Sequence, residues 1–248
     1  MDVLYGITLI LILTFSLTTS LFITQMYKQT PYIHSNDYVN PIMKSDRAYT
    51  IEKVFDTPQL YIIEDFLTSK ECDMVLKIAT EFHRSKVYGD SKDTYQSIHR
   101  TSFTCTLKKQ QNDLIRRLEE RVSKLVHCPT THIEPFQIVR YENGQEFKKH
   151  YDYFGGIHKE KELQTSGQRV ATLFVYLNNV EEGGCTYFNK LDYRICPKKG
   201  RAVFWLNLKP NGDLDPLTEH CGEPPKNCIK YGLNIWTREN PFQYVKHT

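Results

Sequence analysis

A run of short β-favouring segments that begins after Pro129 restricts this chain most. "EPFQIVRY", "EFKKHYDY", "RVATLFVYLNN", "CTYFN", "DYRICP", "RAVFWLNL" and "CIKYGLNIWTRE" are rich in β-branched and aromatic residues. "ENG", "EEGG", "KKG" and "PNGD" punctuate them with turn chemistry. Short strands joined by such turns pair as antiparallel neighbours. Before them, "QLYII" reads as a short strand. Thr68 then opens a helix, with Glu71 at the spacing of a capping box. Cys72, Val75, Leu76, Ala79 and Phe82 fall on its apolar stripe. A second helix is expected from about Gln110 to His127, with Leu114, Ile115, Leu118, Val122, Leu125 and Val126 on one face. Between the helices, "RSKVYGDSKDTYQSIHR" has no period and reads as a long loop of the kind that forms lids. Helices followed by a mostly antiparallel sheet region imply an α+β fold: a double-stranded β-helix, or jelly roll, with two or more N-terminal helices on one face.

The N-terminus differs in kind. From Val3 to Ile23 no residue carries a charge, and about 20 apolar residues suffice to cross a bilayer. Residues 1–27 are therefore expected to form a transmembrane anchor, with a cleaved secretory signal as the alternative. Residues 28–55 mix proline, asparagine and other polar residues without a period, and read as a linker. Residues 56–248 form the expected folded domain. A net charge of +3, with basic residues scattered, gives no reason to expect nucleic acid as a partner. None of the seven cysteines forms a C-x-x-C pair, which speaks against a zinc ribbon. In a secretory lumen, one or two disulfides are expected.

"KKHYDYFGG", Lys148 to Gly156, sets His150 and Asp152 two residues apart. On a strand such residues project from one face, an imidazole beside a carboxylate. Alone, the pair reads equally as ordinary polar residues on a strand. With a second histidine it becomes the two-histidine, one-carboxylate set of non-haem Fe(II) oxygenases, which leaves metal positions open for substrates. Of the nine histidines, His220 fits best, because it precedes the last long strand. Lys230 follows on that strand among Ile229, Leu233, Ile235 and Trp236. A buried ammonium is costly unless it meets an anion, and a dicarboxylic cosubstrate supplies one.

"RYENGQEFKKHYDYF", "RVATLFVYLNNVEEGGCTYF", "PKKGRAVFW" and the order His220, Lys230, Trp236 resemble the prolyl 4-hydroxylases of the Fe(II)/2-oxoglutarate dioxygenase superfamily. The resemblance covers about residues 58–240. It implies that His150, Asp152 and His220 hold Fe(II) and that Lys230 binds the distal carboxylate of 2-oxoglutarate. Tyr141, Thr172 and Trp236 match positions around that cosubstrate. Arg169 matches a position near the peptide groove, and "HRTS", His99 to Ser102, resembles the close of the substrate loop. Two positions depart from the pattern. Phe147 stands where tyrosine is frequent, and Arg238 stands where several members place a histidine toward the peptide.

The function so implied is hydroxylation of peptidyl proline at C4 with O2 and 2-oxoglutarate, on collagen-like or other proline-rich chains, sustained by ascorbate. The expected location is the membrane of the endoplasmic reticulum or secretory pathway, through a single N-terminal span. Two alternatives compete with this reading: an oxygenase of another side chain or small molecule, and a catalytically silent, membrane-tethered binding module.

Overall fold

The computed structural model describes residues 49–88, 94–155 and 160–244. The expected anchor and most of the linker lie outside them. Among the described residues no helix is long and apolar enough to cross a membrane.

The chain opens with strands β1 (Thr50–Phe55) and β2 (Leu60–Glu64), followed by helix α1 (Ser69–Ile78). β1 falls in the stretch read as linker; it pairs antiparallel with β2, Ile51 opposite Ile63. α1 begins with the expected capping box: the Thr68 hydroxyl accepts from the Glu71 amide, and the Glu71 carboxylate accepts from the Thr68 amide. The helix stops at Ile78, so Phe82 lies beyond the stripe predicted for it.

The segment read as a loop contains short strands: β3 (His83–Arg84), then a hairpin of β4 (Lys86–Tyr88) and β5 (Thr94–Gln96). Most of their residues are polar, and the strands are too short to show a period. β6 (Phe103–Thr106) follows. Helix α2 (Asp113–Val126) is capped by the Asn112 side chain and ends at His127 in the left-handed conformation. All six residues of its predicted apolar face are buried.

The remaining elements are β7 (Gln137–Tyr141), β8 (Phe147–His150), helix α3 (Glu160–Ser166), β9 (Arg169–Tyr176), β10 (Thr186–Phe188), β11 (Tyr193–Ile195), β12 (Ala202–Leu206), β13 (His220–Gly222) and β14 (Lys230–Arg238). An eight-stranded sheet has the order β1-β2-β12-β9-β14-β7-β6-β3, and a four-stranded sheet the order β11-β10-β13-β8. Every pairing in them is antiparallel. This sheet-rich architecture with few helices is consistent with the double-stranded β-helix of 2-oxoglutarate oxygenases.

Successive strand residues point to opposite faces, and the burial follows that rule. Ala171, Leu173 and Val175 of β9, with Phe204 of β12 and Ile235 of β14, share a core with α1 and α2. Phe174 and Tyr176 of β9 join Val203 and Trp205 of β12, Leu60 and Ile62 of β2, and Phe188 and Ile195 of the small sheet. The space between the sheets is lined by this second set, and the polar site residues belong to the same face. Gly232 matters here: a Cβ on it would lie 2.2 Å from the Phe174 ring, so glycine lets that ring cross β14.

Cys185 and Cys196 form a disulfide across the β10–β11 hairpin, and the other five cysteines are free.

Candidate active site

The metal-ligand candidates meet because two strand ends are in register. His150 closes β8, His220 opens β13, and the two are direct cross-strand partners. His220 thus opens a short strand of its own, just before the last long strand. Asp152 lies just past the end of β8, in a bend. One ligand atom from each of the three lies within 4.8 Å of the others. His150 Nε2 is 3.7 Å from Asp152 Oδ1, and His220 Nε2 is 3.9 Å from Asp152 Oδ2.

The backbone sets the tautomers. Nδ1 of His150 lies 2.8 Å from the Lys148 carbonyl, and Nδ1 of His220 lies 2.9 Å from the Thr218 carbonyl. A carbonyl oxygen can only accept, so each Nδ1 carries the proton and each Nε2 presents a lone pair. Burial, reinforced by His220, pushes the His150 pKa down to about 3, so its ring is neutral near pH 7. Burial alone would raise the Asp152 carboxyl. The imidazoles of His220 and His150, with Arg169 and the Thr172 hydroxyl, outweigh it and hold the carboxyl below its ordinary range. The Nε2 atoms of the two imidazoles and an ionised carboxylate face one another. That donor set fits a divalent transition metal, and a two-histidine, one-carboxylate set suits Fe(II) with positions left open.

A partly open pocket extends from these three residues and is lined further by Tyr141, Phe147, Phe174, Trp205, Asn234, Trp236 and Lys230. Lys230 is 1% exposed and makes no hydrogen bond or ion pair to any described residue. Aromatic rings surround its Nζ instead: Tyr141 at 5.2 Å, Phe174 at 5.3 Å and Tyr176 at 5.5 Å to the ring centroids. Burial pushes its pKa down to about 7. A buried lysine that lines the pocket without an anionic partner is stabilised in its charged form when an anion binds there. The indole N–H groups of Trp205 and Trp236 are also buried without an acceptor among the described residues.

Tyr141 lines the pocket, and the hydroxyl of Ser102, in the "HRTS" segment, hydrogen-bonds that of Ser85 at 2.8 Å. Thr172 touches the metal-ligand set. It is fully buried, is not among the cavity-lining residues, and donates its hydroxyl proton to Asp152 Oδ2 at 2.8 Å. Its partner is the ligand residue, not the space a cosubstrate would fill. Phe147 stacks on His150, ring centroids 3.5 Å apart, under the Arg100 guanidinium.

Arg169 and Arg238, both expected on the peptide side, belong to one ion-pair network. Arg169 grips Glu134 with two hydrogen bonds, of 2.7 and 2.9 Å, and lies 3.8 Å over the Trp236 ring. Arg238 is 1% exposed, hydrogen-bonds Glu134 at 3.0 Å and the Glu162 carbonyl at 2.8 Å, and lies over Phe154. The expectation that Arg238 meets a peptide is therefore corrected: the side chain points into the protein and ties β14 to α3. A lone sequence position could not show this, because its partners lie in "HIEPF" and "KEKEL", far along the chain.

Sequence reasoning also missed Glu134, Trp205, Phe174 and Asn207. The available signal was a polar or bulky residue inside a run that otherwise reads as core, such as asparagine in "WLNL".

Comparisons with known proteins agree with this geometry. The family model of the 2OG-Fe(II) oxygenase superfamily matches residues 136–238, which include all three ligand candidates and Lys230. "Probable prolyl 4-hydroxylase 7" of Arabidopsis thaliana is 32% identical over 75% of this chain, and the chain spans 65% of that relative. "Probable prolyl 4-hydroxylase 6" of the same plant is 32% identical, again over 75% of this chain and over 71% of its own length. Among solved structures, the 2OG complex of a viral collagen prolyl hydroxylase from Paramecium Bursaria Chlorella virus-1 superposes with a TM-score of 0.59. It is 28% identical and matches over 75% of this chain and 98% of that one. A converging His-Asp-His set, a buried lysine facing it and this extent of identity place the chain in the prolyl 4-hydroxylase family of 2-oxoglutarate-dependent dioxygenases.

Proposed function

We propose that this protein hydroxylates peptidyl proline at C4, on collagen-like or other proline-rich chains, using O2 and 2-oxoglutarate. The observation that carries the reading is one pocket lined both by three converging metal-ligand candidates and by a buried lysine with no ion-pair partner among the described residues. The named relatives and the viral collagen prolyl hydroxylase support the substrate class.

His150, Asp152 and His220 would hold Fe(II), which when bound supplies the activation of O2 coupled to oxidation of the 2-oxo acid. Lys230 would take the far carboxylate of 2-oxoglutarate in a charge-assisted hydrogen bond, worth roughly 1.5–3 kcal/mol. Tyr141 and Trp236 would orient the same molecule from the cavity wall. Phe174 and Trp205 keep that wall apolar and limit water around the reacting groups. Thr172 acts on the metal end, through Asp152. Extended proline-rich chains lose little entropy on binding and suit a groove that reads their shape. Ascorbate would restore iron oxidised in turnovers without peptide. Residues 1–27 would anchor the catalytic domain in a secretory-pathway membrane, with the residues from 28 to the start of β1 as the tether.

The test is mass spectrometry of a proline-rich peptide incubated with the protein, Fe(II) and 2-oxoglutarate. The expected result is a gain of one oxygen on proline, absent in Asp152→Ala. Consumption of 2-oxoglutarate with no oxidised proline in any peptide would remove the substrate assignment and leave the dioxygenase.

A further inference from the structure

We propose that Asn207 is a positioning residue for the metal centre, acting through Thr172 on the Asp152 carboxylate. The inference rests on the reading of His150, Asp152 and His220 as metal ligands. Three buried side chains stand in line: Asn207 Nδ2 lies 3.0 Å from Thr172 Oγ1, and Thr172 Oγ1 lies 2.8 Å from Asp152 Oδ2. Asn207 and Thr172 are both fully buried.

The direction of the relay follows from donor inventory. A hydroxyl has one proton and two lone pairs, and an ionised carboxylate only accepts. Thr172 must therefore give its single proton to Asp152, and its Oγ1 needs a donor on the other side. Only the amide nitrogen of Asn207 can fill that place, which orients the whole side chain. The consequence is an Asn207 Oδ1 that is buried without a hydrogen-bond partner among the described residues. A side chain chosen for stability alone would not strand an acceptor in the interior. The stranded oxygen is the cost of presenting a donor to Thr172.

The backbone holds this arrangement in place. Asn207 continues β12 on the face of Trp205, which is the register partner of Thr172. Its amide donates to the Val170 carbonyl at 2.8 Å, and its carbonyl accepts from Asp215 at 3.0 Å. With main-chain groups satisfied on both sides, the side chain has one place to go. The relay occupies one direction around Oδ2 with a fixed donor. It thereby limits rotation of the carboxylate and fixes the lone pairs turned toward His150 and His220. Groups that orient metal ligands in this way commonly change affinity by about 10–100-fold when removed.

The test is binding of Mn(II), a redox-stable probe, to the full chain, read as free ion by electron paramagnetic resonance. Asn207→Asp reverses the relay, because a carboxylate there competes for the Thr172 proton; Asn207→Ala deletes the donor. Both are expected to weaken Mn(II) binding by about 10–100-fold. Thr172→Val should match them, Thr172→Ser should retain wild-type affinity, and Asn207→Ala added to Thr172→Val should cause no further loss. Should Asn207→Asp fail to fold, Asn207→Ala carries the comparison. A lower melting temperature with unchanged Mn(II) affinity would assign Asn207 to packing and overturn the proposal. So would full additivity of the double variant. A wild-type chain that binds no Mn(II) removes the metal reading itself, a result distinct from wild-type binding that the Asn207 variants leave untouched.

Discussion

Lys230 and Arg238 are the first and last residues of one strand, both 1% exposed and both cationic, yet their surroundings are opposite. Arg238 meets Glu134 and Glu162 and is neutralised within the fold. Lys230 meets aromatic rings and a cavity, and no carboxylate lies within ion-pair distance among the described residues. Burial of charge alone therefore separates nothing; the partner inventory does. A paired buried cation is part of the scaffold, and an unpaired one is stabilised only when a ligand arrives. The strand thus has a structural end and a binding end.

The largest expected effect is at the structural end. Arg238→Met removes one cation from the network and leaves Glu134 to Arg169 alone. Breaking a buried pair costs about 3–5 kcal/mol, measurable as a lower urea midpoint with the slope unchanged. Lys230→Met should show no such loss, since no ion pair is broken and an apolar chain suits the aromatic wall. Equal destabilisation by the two would erase the distinction.

The second effect is at the binding end. Lys230→Met should lower 2-oxoglutarate affinity by roughly 1.5–3 kcal/mol, the worth of a hydrogen bond to a charged group, while Mn(II) affinity changes little. Isothermal titration under anaerobic conditions gives both numbers. Arg238→Met, in protein that remains folded, should leave 2-oxoglutarate binding within a few-fold of wild type.

How much of this was legible beforehand depended on the range of the signal. The α1 capping box, the apolar face of α2 and most of the late strands are local patterns, and they stand where the sequence implied. His150 and Asp152 were visible as a pair, and Lys230 was conspicuous as a charge in an apolar strand. The His150–His220 register was not readable, because it depends on how β13 pairs with β8. Thr172 shows the same limit: its hydrogen bond to Asp152 joins residues 20 positions apart and has no local signal. Arg238 is the sharpest case. Its burial is set by Glu134 and Glu162, one just ahead of β7 and one in a short helix after "FGG" that had no capping or period signal.

The comparison is sharpened further by pH. Burial pushes the Lys230 pKa down to about 7 from an ordinary value of 10.5. Between those values the unfolded chain holds a proton that the ligand-free folded chain has lost. Folding then releases a proton, so this residue makes stability rise with pH across that window. The difference in melting temperature between wild type and Lys230→Met should therefore shift in favour of wild type from pH 7 toward pH 10. A carboxylate ligand reverses the burden by favouring the ammonium, so binding of 2-oxoglutarate near pH 8 should take up a proton. Calorimetry in buffers of different ionisation enthalpy reads that uptake, and Lys230→Met should abolish it.

The smallest effect concerns the wall between the two ends of the cavity. Phe147 lies flat on His150 at 3.5 Å between ring centroids and beneath the Arg100 guanidinium, at 4.8 Å. Its ring holds the imidazole plane, and that contact survives in Phe147→Tyr. What changes is one hydroxyl, added to a residue that lines the cavity. Metal affinity and stability should therefore stay near wild type. Affinity for 2-oxoglutarate should change by about 1 kcal/mol or less, the net worth of a neutral hydrogen bond. Phe147→Leu separates ring from hydroxyl: it keeps the wall apolar but removes the stacking, so Mn(II) binding should weaken while Phe147→Tyr leaves it unchanged. If instead the tyrosine variant disturbs Mn(II) as much as the leucine variant, the stacked ring is not what orients His150, and the hydrogen bond from Nδ1 to the Lys148 carbonyl holds the ligand by itself.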